Sequence, residues 1–170
     1  MRAIILTYAP VQESDKEILK NTTIFKIAIN GHAEELRPHL RICSDYILND
    51  ICRKYPQSVV SVRERFRSFS NRAIYPDIEF KGATILAAVD YLLQKGYDKI
   101  LIVGDNTVNT KEFQDNVNDQ LSPFVGPLVL SPKIYQYTNG NFKLPVMSIK
   151  EFCSPMYYGE LSTQLNKKVN

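Results

Sequence analysis

The segment from residue 82 to residue 106 most constrains the fold of this chain. Its large apolar side chains recur at helical spacing, at Ile85, Leu86, Val89, Leu92 and Leu93. Gly96 follows, and glycine is the residue that most readily ends a helix in the left-handed conformation. The β-branched apolar run at residues 99–103 then predicts a strand that is covered on both faces. Together these features predict a helix packed on a parallel sheet.

Short apolar runs and amphipathic stretches alternate in the same way before this segment. We predict a first helix over residues 13–20, with Ser14 as its N-cap, and a helical turn over residues 33–36. Apolar runs predict strands at residues 3–8, 23–29, 44–50 and 58–62. Such alternation indicates an α/β fold with a mainly parallel sheet and right-handed crossovers.

The C-terminal part predicts a helix, a hairpin and a second short helix. Residues 110–121 have helical apolar spacing, and Ser122-Pro123 ends that helix. Asn139-Gly140 lies between two apolar stretches, which predicts a C-terminal hairpin. Ser148 and Glu151 have capping-box spacing. Because no Ser/Gly-rich linker interrupts the chain, we expect one domain over residues 1–170.

The composition excludes several classes of protein. The chain has 170 residues, of which 44% are hydrophobic and 23% charged, as in ordinary globular domains and unlike disordered chains. Its three cysteines form no CxxC pair and no metal-like spacing with His32 or His39, and their odd number argues against a disulfide framework. No apolar run reaches the length of a membrane span. We therefore expect a cytoplasmic protein without a membrane span, and the sequence leaves a homo-oligomer open.

Asp105 is the strongest candidate for chemistry, because it lies just past the carboxyl end of the predicted strand at residues 99–103. In open α/β sheets, ligands bind at the carboxyl ends of the strands. A carboxylate there can share Mg²⁺ with a polyphosphate, so we predict a catalytic and metal-binding role for Asp105. The alternative is a turn and N-cap role, since Gly104-Asp105-Asn106-Thr107 is also a good turn sequence.

His32 is the second catalytic candidate, because a loop after the strand at residues 23–29 can present it as a general acid or base. The alternative is a partly exposed surface histidine. His39 lies seven residues further, but Pro38 interrupts the segment, so a metal site made of both histidines is disfavoured.

Arg63, Arg65 and Arg67 form the strongest charge cluster of the chain. On an extended strand they would point the same way and could bind phosphate or carboxylate. A charged edge strand is the alternative. The neighbouring Phe66 and Phe69 would suit single-stranded RNA, but one cluster in a chain of net charge +3 disfavours a nucleic-acid partner.

Five stretches, taken in chain order, resemble a known family. They are residues 27–30, 44–50, 82–105, 134–137 and 148–152. Their order resembles the Rossmann-like domain of MptE-like 6-hydroxymethylpterin pyrophosphokinases and motility accessory factors, and bacterial lipooligosaccharide sialyltransferases look similar in outline. The resemblance implies a Rossmann-like three-layer fold with a pocket for a nucleotide or nucleotide sugar at the carboxyl edge of the sheet.

The resemblance also implies a set of nucleotide-binding residues. They are Ala9, Pro10, Asn30, Gly31, Asp50, Gly82, Gly104 and Asn106. Where the family has a Gly-Pro-Ser loop, this chain has Ala9-Pro10-Val11, which lacks the glycine and the hydroxyl. Asn30 could instead serve the Asn30-Gly31 turn, and Asp50 could cap a helix that follows it.

These observations lead to a functional hypothesis with three alternatives. The first choice is a transferase that uses a nucleotide or nucleotide sugar, in particular a glycosyltransferase-like protein of surface glycan biosynthesis. A pyrophosphokinase fits the same residues. A non-catalytic relative that binds a nucleotide or a partner protein would explain the altered Ala9-Pro10-Val11 loop. An RNA-binding module built on the arginine cluster is the remaining alternative.

Overall fold

A computed structural model describes residues 1–7, 10–43, 54, 59–61, 84–104, 110–125, 133–138 and 140–154. Its centre is a six-stranded sheet in which every pairing is parallel. The strands are β1 (Arg2–Leu6), β2 (Phe25–Ile29), β3 (Leu40–Cys43), β4 (Val59–Ser61), β5 (Lys99–Val103) and β6 (Lys133–Gln136). The predicted α/β fold with a mainly parallel sheet is therefore confirmed.

Helices lie on both faces of this sheet. They are α1 (Glu13–Asn21), α2 (Thr84–Gln94), α3 (Lys111–Leu121) and α4 (Ile149–Phe152), with short 3-10 helices at Glu34–Leu36 and Ser122–Phe124. Because side chains alternate along a strand, Ile5 packs in one core with α2 and α3, whereas Ile4 packs in the other with α1 and α4. The two cores give the predicted Rossmann-like three-layer arrangement.

The strand order is β4-β3-β2-β1-β5-β6. The chain first builds outward from β1 to β4, then returns to place β5 on the other side of β1. The connections that leave β1 and β5 therefore run in different directions. This is a topological switch point, and a crevice is expected at the carboxyl ends of the two strands.

Local signals set several helix ends as predicted. Gly96 has φ +87° two residues after the end of α2, and the Ser148 hydroxyl accepts a 3.1 Å hydrogen bond from the Glu151 amide at the start of α4. The Thr110 hydroxyl caps α3 by accepting from the Phe113 amide at 3.2 Å. The expected Ser14 cap is wrong, because α1 begins one residue earlier and its N-cap is Gln12, whose side chain makes no capping bond.

The predicted C-terminal hairpin is also wrong. Within the described residues, the chain after β6 meets that strand at a single bridge between Gln136 and Val146, and this bridge is parallel. The buried Gln136 side chain explains the difference. Its carboxamide donates to the carbonyl oxygens of Phe142 and Leu144 and accepts from the Phe142 amide. These main-chain groups are therefore not available to pair with β6 in a hairpin.

The region after β2 differs from expectation too. Strand β3 covers Leu40–Cys43, which sequence reasoning did not predict, and the strand predicted at residues 44–50 lies outside the described residues. The strand predicted at residues 58–62 is confirmed as β4. None of the helices in the described part of the chain has both the length and the apolar character that crossing a bilayer requires.

Candidate functional site

A cleft of about 510 Å³ opens at the switch point. Leu6 and Thr7 contribute from the end of β1, Val103 from the end of β5, and Pro10 and Val11 from the segment that leads into α1. The volume lies within the range of small-molecule sites. The main cleft, as we call it below, therefore lies where ligands bind in sheets of this topology.

The connection between β2 and β3 forms the second wall of the main cleft. It contributes Gly31, His32, Ala33, Glu35 and Leu36. The 3-10 helix in this connection was predicted as a helical turn and brings Glu35 and Leu36 to the cleft. Three of the predicted site residues, Pro10, Gly31 and His32, are thereby brought together.

Arg41 stabilises this wall through hydrogen bonds to the β2–β3 connection. Only 1% of its surface is exposed, and the alternation along β3 places it on the same side of the sheet as α1. Its Nη1 donates to the carbonyl oxygens of Asn30 at 2.9 Å and His32 at 2.6 Å, and its Nη2 pairs with the Glu34 carboxylate. The rigid guanidinium thus fixes three points of the β2–β3 connection.

Lys26 holds the end of the same wall. It is as deeply buried as Arg41, and its ammonium donates to the carbonyl oxygens of Leu19 in α1 and Leu36 in the 3-10 helix. Burial lowers the pKa of Lys26, and the positive charge of Arg37 lowers it further, against a smaller opposing effect of Cys153. Two buried cations therefore bind the main-chain carbonyls of the cleft wall.

The wall contains three left-handed residues. Asn30, Ala33 and Arg37 have φ values of 50°, 58° and 55°. Asparagine tolerates this conformation well, whereas alanine and arginine pay a steric cost that neighbouring contacts must offset. The hydrogen bonds from Arg41 and Lys26 to this connection supply such contacts. The shape of the wall is therefore imposed by tertiary contacts more than by local preference.

His32 is half-buried at the cleft. Burial lowers the pKa of His32, and the positive charge of Arg41 lowers it further. The imidazole is therefore neutral at pH 7 and has a nitrogen lone pair that can accept a proton. This state suits the predicted role of general base better than that of general acid.

Asn30 and Gly31 have different parts in the structure. Asn30 lies in the turn after β2, where its amide donates to the Ile42 carbonyl at 3.0 Å and its own carbonyl accepts from Arg41, and its nucleotide-binding role stays a prediction. Its Oδ1 is buried and has no hydrogen-bond partner within the described part of the chain. At Gly31, an added Cβ would meet no atom of the described residues within 4 Å. The main cleft thus has open space beside the Gly31 backbone.

Most of the other predicted site residues lie outside the described residues. These are Ala9, Asp50, Gly82, Asp105, Asn106, Arg63, Arg65 and Arg67. Gly104 is described, and it is buried after β5 with φ +117°. The predicted Mg²⁺ site depends on Asp105 and stays a prediction. Elsewhere, across the described ranges, no group of three or more His, Cys, Asp or Glu side chains could hold a metal ion.

Sequence reasoning missed three residues of this site. Glu35 was placed in a helical turn without a role, although it lines the cleft. Lys26 and Arg41 were overlooked as the buried cations behind the wall. A signal for both was present, because each is a charged residue within an otherwise apolar strand, and a charge at such a position must find buried partners.

Comparisons with known proteins add nothing to this picture, because no family model, no curated protein and no solved structure matches the chain.

Proposed function

We propose that the protein binds a nucleotide in the main cleft and uses a nucleotide sugar as the donor in a group-transfer reaction. The observation that carries the proposal is the position of the cleft at the switch point between β1 and β5. In doubly wound sheets, this crevice is where nucleotides bind. The predicted contributions of Asp105 to the phosphates, through Mg²⁺, and of Arg63, Arg65 and Arg67 belong to the same proposal.

The chemistry of the walls supports a nucleoside as the bound group. Leu6, Val11, Leu36 and Val103 provide apolar surface against which a base can pack. Glu35 provides a carboxylate, which can accept hydrogen bonds from both ribose hydroxyls. Carboxylates that follow the second strand serve this purpose in dinucleotide-binding sheets. No lysine or arginine is among the described residues that line the main cleft. These walls would therefore bind the nucleoside and not the phosphates.

His32 supports the transfer step of the proposal. Its neutral imidazole can take the proton of an acceptor hydroxyl while that oxygen attacks the anomeric carbon of the donor sugar. The bond from the anomeric carbon to the phosphate oxygen breaks, and the nucleotide leaves with the bonding electron pair. Histidine would then hold the proton as imidazolium. This arrangement makes His32 the general base and the nucleotide the leaving group.

One observation favours a binding protein without catalysis as the second candidate. Val11 lines the main cleft at the position where the resembling family has a serine. An apolar side chain cannot donate a hydrogen bond to a phosphate. Nucleotide binding without turnover is therefore the alternative.

Isothermal titration calorimetry with UDP, GDP, CDP and ATP, each with Mg²⁺, tests binding. We expect Glu35→Gln to weaken the preferred nucleotide about tenfold, because a charged acceptor is lost. Glu112→Gln on the exposed start of α3 is the control and should bind as the parent protein does. If no nucleotide binds, the proposal is wrong.

Hydrolysis of the matching nucleotide sugar then separates the two candidates. Water can replace the missing acceptor in such an assay, so an active transferase should release the free nucleotide slowly. We expect His32→Gln to bind the nucleotide sugar with unchanged affinity and to lose this release. Binding without release in the parent protein would favour the non-catalytic alternative.

A further inference from the structure

A second cleft of about 320 Å³ adjoins the main cleft. It is lined by Pro10, Val11, Gln12, Tyr137 and Thr138. Pro10 and Val11 line both clefts, so the segment before α1 is the ridge between them. A ligand that crosses this ridge would touch the ends of β1, β5 and β6, all at the same edge of the sheet.

The hydroxyl of Tyr137 is already committed to the protein. It donates to Oδ2 of Asp15 in α1, and it also interacts with the main chain of Gln12 and the side chain of Thr138. Tyr137 is only 3% exposed. Because its hydroxyl is committed, Tyr137 offers the second cleft only the apolar part of its side chain, which the bond to α1 holds in place.

None of the described residues that line the second cleft has a charged side chain. The nearest carboxylate of this network is Asp15, and the first turn of α1 also carries Glu13. Glu13 is ion-paired with Lys16 at 3.0 Å, so the Asp15 carboxylate is the charge that opposes a second carboxylate in this cleft. An uncharged group is favoured instead.

Two polar side chains remain for a ligand in the second cleft. Gln12 is exposed and makes no capping bond to α1, so its carboxamide can both donate and accept. Thr138 is exposed, and its hydroxyl oxygen keeps an acceptor lone pair beside its bond to Tyr137. Apolar walls with a few hydrogen-bonding groups at the rim suit a ring that carries several hydroxyls.

We propose that the second cleft holds the uncharged sugar ring of the donor, while the nucleoside of the same molecule occupies the main cleft. The inference rests on the proposed function and deepens it, because it selects neutral hexose donors over acidic ones. The phosphates would then cross the Pro10–Val11 ridge, next to the ends of β1 and β5. Asp15 would repel the carboxylate of an acidic sugar.

Calorimetry on matched pairs tests the inference. The pairs are UDP with UDP-glucose, GDP with GDP-mannose, and CMP with CMP-N-acetylneuraminate. In each pair, the affinity for the nucleotide sugar divided by the affinity for the nucleotide measures the contribution of the sugar. For the preferred neutral pair, we expect the nucleotide sugar to bind at least threefold more tightly than the nucleotide. CMP-N-acetylneuraminate should bind no more tightly than CMP.

Two variants assign any gain to the second cleft. Thr138→Val and Gln12→Leu should each reduce the ratio for the neutral pair toward one, while the affinity for the free nucleotide stays unchanged. Thr138→Ser keeps the hydroxyl and should retain the ratio, and Gln94→Leu on the exposed end of α2 should leave it unchanged. Urea denaturation of every variant confirms that the fold is retained.

The outcomes are distinguishable. A ratio near one in the parent protein, or an unchanged ratio in both cleft variants, overturns the sugar site while nucleotide binding still supports the proposed function. Tighter binding of the acidic sugar than of the neutral ones contradicts the charge argument and overturns the inference. Failure of every nucleotide and nucleotide sugar to bind overturns both proposals.

Discussion

The guanidinium of Arg41 donates a 2.6 Å hydrogen bond to the main-chain carbonyl oxygen of His32, the residue that presents its imidazole at the main cleft. A strand residue buried behind the wall therefore sets the backbone position of the candidate base in front of it. The bond to the Asn30 carbonyl, from the same Nη1 atom, fixes the start of the same connection. The main cleft depends on a buried cation that does not line it.

Replacing Arg41 should therefore destabilise the protein. Arg41→Met removes the donor for two main-chain carbonyls in a place with 1% exposure. We expect the free energy of unfolding to fall by about 2–4 kcal/mol, because unsatisfied buried polar groups are costly. Urea denaturation measures this change. Glu34→Gln is the matched control, and since the Glu34 side chain is 58% exposed we expect a loss of about 0.5 kcal/mol or less. Equal losses in both variants would contradict this account of the wall.

Two glycines should differ in how much stability they lose on replacement by alanine. A Cβ at Gly140 would lie 2.3 Å from Oε1 of Gln136, whose carboxamide is held by three hydrogen bonds. We expect Gly140→Ala to lower the free energy of unfolding by about 1–3 kcal/mol through overpacking.

Gly31→Ala is the counterpart, because a Cβ there meets nothing within 4 Å in the part of the chain that the structure describes. We expect it to change stability by about 0.5 kcal/mol at most. Thermal or urea unfolding of both variants, side by side, checks the pair. A tolerated Gly140→Ala would show that the Gln136 network is not rigid.

Stability should fall as the pH drops below the ordinary histidine range. Burial and the charge of Arg41 lower the pKa of His32. Burial and the charge of Lys26 lower the pKa of His39, whose Nδ1 accepts a 3.0 Å hydrogen bond from the Lys26 amide. The unfolded chain, with histidine pKa values of about 6.5, then binds more protons than the folded protein. The stabilising contribution is complete above that value and is lost as the pH falls through the lowered folded values.

The double variant His32→Gln, His39→Asn provides the control. Asparagine can still accept the Lys26 amide bond, but it does not titrate. Urea midpoints between pH 5 and 7.5 should therefore slope less steeply in the double variant than in the parent protein. Identical slopes would remove the histidines from the acid response.

The sequence predicted the parts of the fold that local patterns determine. Strand β5 and helix α2 were predicted because an apolar run and a helical stripe suffice to specify them. Strand β3 was missed because Arg41 interrupts its apolar run. Arg41 can be buried there because the carbonyl oxygens of Asn30 and His32 accept its hydrogen bonds. The hairpin was predicted from Asn139-Gly140. Turn rules do not include the Gln136 side chain, which binds the carbonyl oxygens of Phe142 and Leu144 and so prevents antiparallel pairing there.

The position of the candidate site could be predicted better than the residues that line it. Parallel strands place their carboxyl ends at one edge, so Pro10, Gly31 and His32 could be expected to meet there. Glu35 and the second cleft depend on how the β2–β3 connection and the end of β6 fold back over that edge. Those contacts join residues that are distant in sequence, and no local pattern specifies them.

The most direct test of nucleotide binding in the main cleft fills that cleft. Gly31→Leu adds a side chain where the backbone has open space, so the protein should remain folded while the cleft loses volume. Calorimetry with the preferred nucleoside diphosphate should show binding to the parent protein and at least a tenfold loss in Gly31→Leu. Unchanged affinity in a folded Gly31→Leu variant would contradict the account, because the nucleotide would then bind elsewhere.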